Sequence, residues 1–256
     1  AVAVAREAAA AAAEVIRHYY RAGFTVETKV DATPVTIADR EAEAAIKRVL
    51  RAVFPDHAFY GEEEGREGEG DLLWLIDPID GTRSFVRRYP MFSTQIALMH
   101  RGELVAGVSS APEFGEIAWA RRGGGAFLKN TERDAAPVRV SAATEFTADT
   151  ALSFGNVKTL SRGPRWAVLA DLIQRSGRTR GYGDFYHYHL LARGAIDLVV
   201  ESDVNILDIA ALAVIVREAG GVFSDLDGRQ LDLATRSALA GPAVLHAQAL
   251  AAFRAA

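Results

Sequence analysis

The sequence predicts an α/β protein in two halves, the first α+β and the second α/β, on three observations. Two helical stretches stand at the start, a run of short apolar strands with glycine turns follows, and strand and helix patterns alternate thereafter. With 256 residues, 50% hydrophobic and 24% charged, the chain has an ordinary globular composition and enough residues for a large core. Disordered, collagen-like and disulfide-stapled classes are excluded.

The opening alanines favour helix, and Val15, Ile16, Tyr19 and Tyr20 recur at the spacing of one helical face until Gly23 ends it. Asp39 to Phe54 predicts a second helix, with Ala42, Ala45, Ile46, Val49, Leu50 and Val53 in one stripe and Pro55 just beyond. Between them Val26 to Thr36 is too polar, and too punctuated by Pro34, for a third. Gly61 to Gly70 reads as a surface loop and Leu72 to Ile76 as a buried strand. Further strands are expected at Thr94 to Met99, Leu104 to Ser109, Ile117 to Ala120 and Ala126 to Lys129. Turns at Arg101-Gly102 and Gly123-Gly124 join them into an antiparallel sheet flanked by the two helices.

From about Asp134 to Ser141 the pattern changes. A strand near Ala151, helices over Arg165 to Ser176 and Asp184 to Ala192, and a strand over Leu198 to Glu201 are expected in turn. A helix over Ile209 to Ala219, closed by Gly220-Gly221, precedes one more strand. The division falls near residue 138: residues 1–138 form the α+β half and residues 139–256 the α/β half.

Charge narrows the function. The 29 Lys and Arg against 33 Asp and Glu give a net charge of −4 with no long basic run, so the footprint of a nucleic-acid binder is missing. No apolar stretch approaches the ~20 residues of a membrane span, and the alanine-rich start, interrupted by Arg6, Glu7 and Glu14, reads as helix rather than leader. A cytoplasmic location is the expectation. Without cysteine, any metal must be held by oxygen or imidazole. There is no Gly-x-Ser-x-Gly and no Gly-Lys-Ser/Thr loop, so hydrolase-elbow and P-loop chemistry find no support.

The most informative stretch is Leu72-Leu73-Trp74-Leu75-Ile76-Asp77-Pro78-Ile79-Asp80-Gly81-Thr82. An apolar strand is expected to deliver Asp77 at its carboxyl end, Pro78 to end the pairing and Asp80 to return three residues later. Two carboxylates and the Ile79 carbonyl then converge as the hard-oxygen surroundings that Mg²⁺ prefers. Gly81 allows close approach of a ligand, and Thr82 is placed to cap a following helix whose amides bind phosphate. A lone Asp-x-x-Asp reads as a solvated turn. All five specified residues of Asp-Pro-x-Asp-Gly-Thr arise by chance in such a chain only on the order of once in 10⁴.

With these residues the sequence resembles the inositol monophosphatase superfamily of Mg²⁺-dependent phosphatases. Its three acidic motifs occur in order: Gly61-Glu62-Glu63, Asp77-Pro78-Ile79-Asp80-Gly81-Thr82, and Leu207-Asp208-Ile209-Ala210-Ala211 with Glu218-Ala219-Gly220-Gly221 downstream. Alone, Glu62 to Glu64 reads as a solvated charge run and Asp208 as a helix N-cap; the combination overturns both. One departure is Leu207, where the family carries a packing tryptophan. The resemblance covers roughly Val26 to Leu245 and implies a layered αβαβα sandwich.

Within the superfamily, Val26-Glu27-Thr28-Lys29 with Thr33 to Asp39, Arg180-Gly181-Tyr182-Gly183-Asp184, and Leu198 to Ser202 resemble the histidinol-phosphate phosphatases. The resemblance implies metal ligands Glu62, Asp77, the Ile79 carbonyl, Asp80 and Asp208, holding two or three Mg²⁺ ions with Mn²⁺ as a substitute. It gives water activation to Glu62 and to a Thr82 and Asp39 pair, and phosphate and substrate contacts to Gly81, Thr82, Gly183, Asp184 and Glu201. The expected partner is a small phosphorylated metabolite, with no nucleic acid and no membrane, and the expected assembly is a homodimer. Two carboxylates suit a cationic amino alcohol. Inositol phosphate, fructose bisphosphate and phosphoadenosine phosphate are the alternative substrates, and a non-catalytic phosphate-binding regulator is the remote alternative. His187 and His189, two apart on a helix, point away from each other, so they are not expected to share a metal; the six histidines read as packing or surface residues.

Overall fold

The computed structural model describes residues 1–23, 26–28 and 34–255. In chain order its elements are α1 (Val2–Ala22), β1 (Val26–Thr28), β2 (Pro34–Thr36), α2 (Ile37–Val53), β3 (Ala58–Gly61), β4 (Gly65–Glu67), β5 (Leu72–Asp80), α3 (Thr82–Val86), β6 (Ser93–His100), β7 (Glu103–Ala111), β8 (Glu116–Arg121), β9 (Ala126–Lys129) and β10 (Ala136–Val138). After them come β11 (Ala151–Phe154), α4 (Arg165–Arg175), β12 (Arg178–Arg180), α5 (Tyr186–Ala192), β13 (Leu198–Ser202), α6 (Ile206–Glu218), β14 (Val222–Ser224), β15 (Ser237–Gly241) and α7 (Ala243–Arg254). Lys29 and Thr33, part of the resemblance, lie outside the described residues.

An eight-stranded sheet runs β10-β9-β8-β7-β6-β5-β3-β4 and a five-stranded sheet runs β12-β11-β13-β15-β14. Helices α1 and α2 cover one face of the first sheet, α5 and α6 lie between the sheets, and α4 and α7 cover the outside of the second. That is the expected αβαβα layering. The alternation of β5 explains it: Trp74 and Ile76 join the core under α1 and α2, while Leu73 and Leu75 join the core around α6. Every strand position of β5 from Leu73 to Ile79 is buried, so the run reads as continuously apolar up to Asp77.

Helix α6 is buried along nearly its whole length, from Ile206 to Val216, because a sheet covers it on each side. At Gly107 a side chain would strike the Ala211 backbone, so the helix lies directly on β7 there.

Several expectations are corrected. The first sheet is not wholly antiparallel, since β3 pairs with β5 in parallel. The segment Gly61 to Gly70 is not only loop, because Gly65–Glu67 returns as β4 along β3. Strand β5 does not stop at Pro78: it continues to Asp80 through an irregularity. The apolar stripe of α2 ends early, with Val53 53% exposed, and Glu43 and Lys47 join its buried face. Helix α5 starts at Tyr186 rather than Asp184, and α6 at Ile206 rather than Ile209. Strands β10, β12 and β15 and helix α7 were not expected.

Candidate metal centre and substrate cleft

In a regular strand residues three apart face opposite sides, so Asp77 and Asp80 would diverge. Asp77 stands opposite Gln95 and Asp80 opposite Ser93, so three residues of β5 span two of β6. The extra residue is a bulge, and it turns both carboxylates to the face beneath α6. Pro78 fits there because it has no N–H to contribute to the ladder.

Asp208 reaches the same place from the first turn of α6. Asn205 caps that helix, and Asp208 returns the favour at the third position, accepting Asn205 N (2.8 Å) and Asn205 Nδ2 (2.8 Å). Asp208 is therefore not itself the N-cap. Asp39 is held by the same device on α2, accepting Thr36 N at 2.7 Å and Thr36 Oγ1 at 2.6 Å. One local motif presents both acids.

Oxygens of Asp77, Asp80 and Asp208 lie within 4.8 Å of one another. Burial pushes the Asp77 carboxyl well above its usual range, and the charges of Glu62, Asp80 and Asp208 push it further. Asp80 is raised by burial and by Asp184, Asp208 and Glu201. Asp208 is pushed up to about 7, chiefly by burial, with Asn205 opposing and Glu62 and Glu201 adding to the shift. Asp77 Oδ1 is buried without a hydrogen-bond partner among the described residues. An orphaned buried acceptor among mutually repelling carboxylates, all hard oxygen donors, fits a divalent cation such as Mg²⁺.

Glu62 stands beside Asp77, and its amide donates to Ile76 O (3.1 Å). Its turn is pinned from α2: Glu43 accepts Glu63 N at 2.8 Å and Glu64 N at 3.3 Å, and Lys47 Nζ meets Glu43 at 2.7 Å, Glu64 at 2.7 Å and Glu67 at 2.5 Å. Arg51 pairs with Glu67 as well. The Ile79 side chain packs under the outer helices, while its carbonyl accepts the Thr82 hydroxyl at 3.0 Å. That hydroxyl also lies 3.4 Å from Asp39 Oδ1, so the expected Thr82 and Asp39 pair meets. Thr82 is not the cap of α3: Gly81 is, at φ 89°, where a side chain would also meet Met91 O at 2.6 Å.

A cleft of about 810 Å³ gathers Glu62, Asp80, Gly81, Thr82, Gly183, Asp184, Glu201 and Asp208. Asp184, at φ 45°, precedes α5, and burial and Glu201 raise its carboxyl to about 6. Glu201 Oε2 accepts Tyr188 OH at 2.7 Å and lies 3.2 Å from His187 Nε2, while His187 Nδ1 lies 3.3 Å from Ser153 Oγ. His189 turns elsewhere, to Glu116 and Ser109, so the two histidines share no site. Leu207, in place of the family tryptophan, is buried in the core around α6.

Sequence reading missed Glu43 and Lys47, Ser93 beside Asp80, the His187 and Tyr188 grip on Glu201, and Arg83, Tyr89 and Lys158 on the cleft wall. The Asp-Phe-Tyr-His-Tyr-His run after Gly183 is the one local signal: polar rings on a helix next to a candidate site residue need buried partners.

The model of the inositol monophosphatase family matches residues 1–256. A histidinol-phosphatase of Streptomyces coelicolor is 40% identical over 208 residues, covering 80% of this chain and 78% of its own. An inositol-1-monophosphatase of Mesorhizobium japonicum is 35% identical over 226 residues, 86% of this chain and 82% of its own. The crystal structure of the extragenic suppressor protein suhB from Bartonella henselae superposes with a TM-score of 0.87 at 29% identity, covering 98% of this chain and 97% of the other.

Proposed function

The chain belongs to the inositol monophosphatase family, metal-dependent phosphatases of small phosphorylated substrates, and within it we propose a histidinol-phosphate phosphatase. It would hydrolyse L-histidinol phosphate and water to L-histidinol and phosphate, in histidine biosynthesis. The observation that carries this is the pair Asp184 and Glu201, which line the same cleft as the acidic cluster, where burial and the charge of Glu201 raise the Asp184 carboxyl. An ammonium beside a phosphate-bearing carbon would relieve that repulsion, while inositol has only hydroxyls to offer. No helix among the described residues is long and apolar enough to cross a membrane.

In this reading Glu62, Asp77, the Ile79 carbonyl, Asp80 and Asp208 hold Mg²⁺. When bound, the ion neutralises phosphate charge and acidifies a water. Glu62 would take one proton of the attacking water, and the Thr82 hydroxyl, itself oriented by Asp39, would accept a hydrogen bond from that water and so aim it. The Gly81 and Thr82 amides would hold phosphoryl oxygens, and water would attack phosphorus directly as the in-line bond to the substrate oxygen breaks, that oxygen taking up a proton from solvent to leave as the alcohol. The residues up to 138 carry the first two acidic motifs, those from 139 the third and the specificity residues. A cytoplasmic homodimer is part of the proposal, and sedimentation of the purified chain checks the dimer.

Phosphate release over a panel of histidinol phosphate, inositol 1-phosphate, fructose 1,6-bisphosphate and phosphoadenosine phosphate tests the substrate. The expected result is the highest kcat/KM on histidinol phosphate, lost in chelator and restored by Mg²⁺ or Mn²⁺. Preference for inositol 1-phosphate would overturn the substrate, and full turnover in excess chelator would overturn the metal.

A further inference from the structure

Asp80 ends a chain of buried hydrogen bonds that crosses the first sheet and terminates on α5. Ser93 Oγ donates to Asp80 Oδ2 at 3.2 Å, and Gln95 Nε2 donates to Ser93 Oγ at 2.7 Å and to Ser109 Oγ at 3.0 Å. Ser109 Oγ lies 2.8 Å from His189 Nε2, and His189 Nδ1 lies 2.8 Å from Glu116 Oε1. Arg193 Nη1 closes the far end on Glu116 Oε2 at 3.2 Å. Ser93, Gln95, Ser109 and His189 are at most 1% exposed, so water does not compete for these bonds.

The direction of the protons follows from the Gln95 amide, whose Nε2 faces both serines. Burial would raise the Glu116 carboxyl, but the bond from His189 and the charge of Arg193 hold it below the usual range, so it accepts only. Because the Gln95 amide already donates to Ser109 Oγ, the Ser109 proton points to His189 Nε2, and His189 donates from Nδ1 to Glu116. Ser109 is then free to accept only from the Gln95 amide. That amide spends its two protons on the two serines, and Ser93 gives its own to Asp80. The orientation leaves Gln95 Oε1 buried without a partner among the described residues. Were the amide reversed, its oxygen would be satisfied by the serine protons, at the expense of Asp80 and His189.

We propose that His189 is a positioning residue for metal binding: acting from α5 through Ser109, Gln95 and Ser93, it keeps the Ser93 hydroxyl pointed at the Asp80 carboxylate. Without an acceptor at His189 Nε2, the Gln95 amide turns over and Ser93 redirects its proton to Gln95 Oε1. Asp80 then loses the hydrogen bond that fixes its Oδ2 in place. Metal affinity is thus set partly from the second half of the chain. The inference rests on the reading of Asp80 as a metal ligand.

Titration calorimetry of Mg²⁺ into the metal-free protein tests it, with the melting temperature of each variant measured alongside. His189→Asn keeps a donor for Glu116 but offers Ser109 no acceptor, whereas His189→Gln places an amide oxygen near the Nε2 position. His189→Asn and Ser93→Ala should each weaken Mg²⁺ binding about ten- to a hundredfold, as partners of ligating carboxylates do. Their combination should weaken it no more than either alone, because both cut one chain. His189→Gln should restore most of the affinity. Ser109→Ala, which keeps the imidazole, carries the same expectation should His189→Asn not fold. A fully additive double variant, no rescue by Gln, or native affinity in His189→Asn and Ser109→Ala while Asp80→Asn abolishes binding would each overturn the inference. If Asp80→Asn itself binds Mg²⁺ normally, the metal-site reading falls first.

Discussion

On one side of the Glu62 turn the carboxylates of Glu43, Glu64 and Glu67 close on Lys47, and on the other Asp77, Asp80 and Asp208 close on one another. Both groups are rich in acid and adjoin the same turn; Lys47, Glu43 and Asp77 are buried, while Glu64 and Glu67 are partly exposed. Burial would discharge Lys47, but its three acids keep it charged; burial and neighbours discharge the aspartates instead. The first group carries its cation as a side chain and holds the loop. The second has no such side chain among the described residues and, in the proposed reading, leaves that place to an ion from solution.

The largest effect should come from removing one charge on the open side. Asp80→Asn should lower kcat/KM by about three orders of magnitude, the loss of several kcal/mol of metal-borne charge stabilisation. Its metal-free melting temperature should hold or rise, since a repulsive neighbour is gone. A marked fall in melting temperature with activity intact would erase the distinction between the two groups.

The opposite pattern is expected from Lys47→Met. It strands Glu43 in the interior and should cost about 3–5 kcal/mol of folding stability, read by denaturant unfolding. At temperatures where the variant is folded, substrate preference should be unchanged.

The two sides should also differ in pH response. Asp208 is raised to about 7 and Asp184 to about 6, so the folded metal-free chain binds protons that the unfolded chain, at ordinary carboxylate values near 4, has released. That contribution is fully present below about pH 4 and is lost as pH rises through about 6 to 7. Mg²⁺ replaces those protons, so the rise in melting temperature on adding it should grow steadily from pH 4 to pH 7. A rise independent of pH would show that the ion does not sit among these acids.

The smallest effect concerns the cleft wall. Glu201→Gln and Asp184→Asn should lower turnover of histidinol phosphate about ten- to a hundredfold more than turnover of a neutral phosphate ester, the ~1.5–3 kcal/mol of a charge-assisted contact. Equal losses on both esters would place these acids with the metal cluster rather than with substrate choice.

What was legible in the sequence follows from how far apart the partners lie. Asp77, Ile79, Asp80, Gly81 and Thr82 are contiguous, so one string exposes most of the centre, and the strand and helix around Asp208 are strongly apolar. The bulge was not legible, because Asp-Pro reads equally as the end of a strand, and only the pairing of Asp77 with Gln95 and Asp80 with Ser93 reveals it. Glu43 and Lys47, four apart, look like a solvated helical pair; the backbone and carboxylates that bury them come some 20 residues later. His189 finds Glu116 and Ser109 at separations of 73 and 80 residues, beyond any local pattern. The short strands β10 and β12 carry too few residues for alternation to show.

The double covering of α6 has a consequence for the order in which the molecule can be made. During synthesis the strands of the first sheet, through Val138, are complete well before Ile206 emerges, so the sheet face that will receive α6 stays uncovered for more than 60 residues of chain growth. When α6 arrives it brings an apolar surface on both sides, and the second sheet must still close over it. Asp208 therefore meets Asp77 and Asp80 only once α6 has emerged, and a nascent chain stalled within that interval exposes an apolar sheet face and lacks one of the three clustered carboxylates.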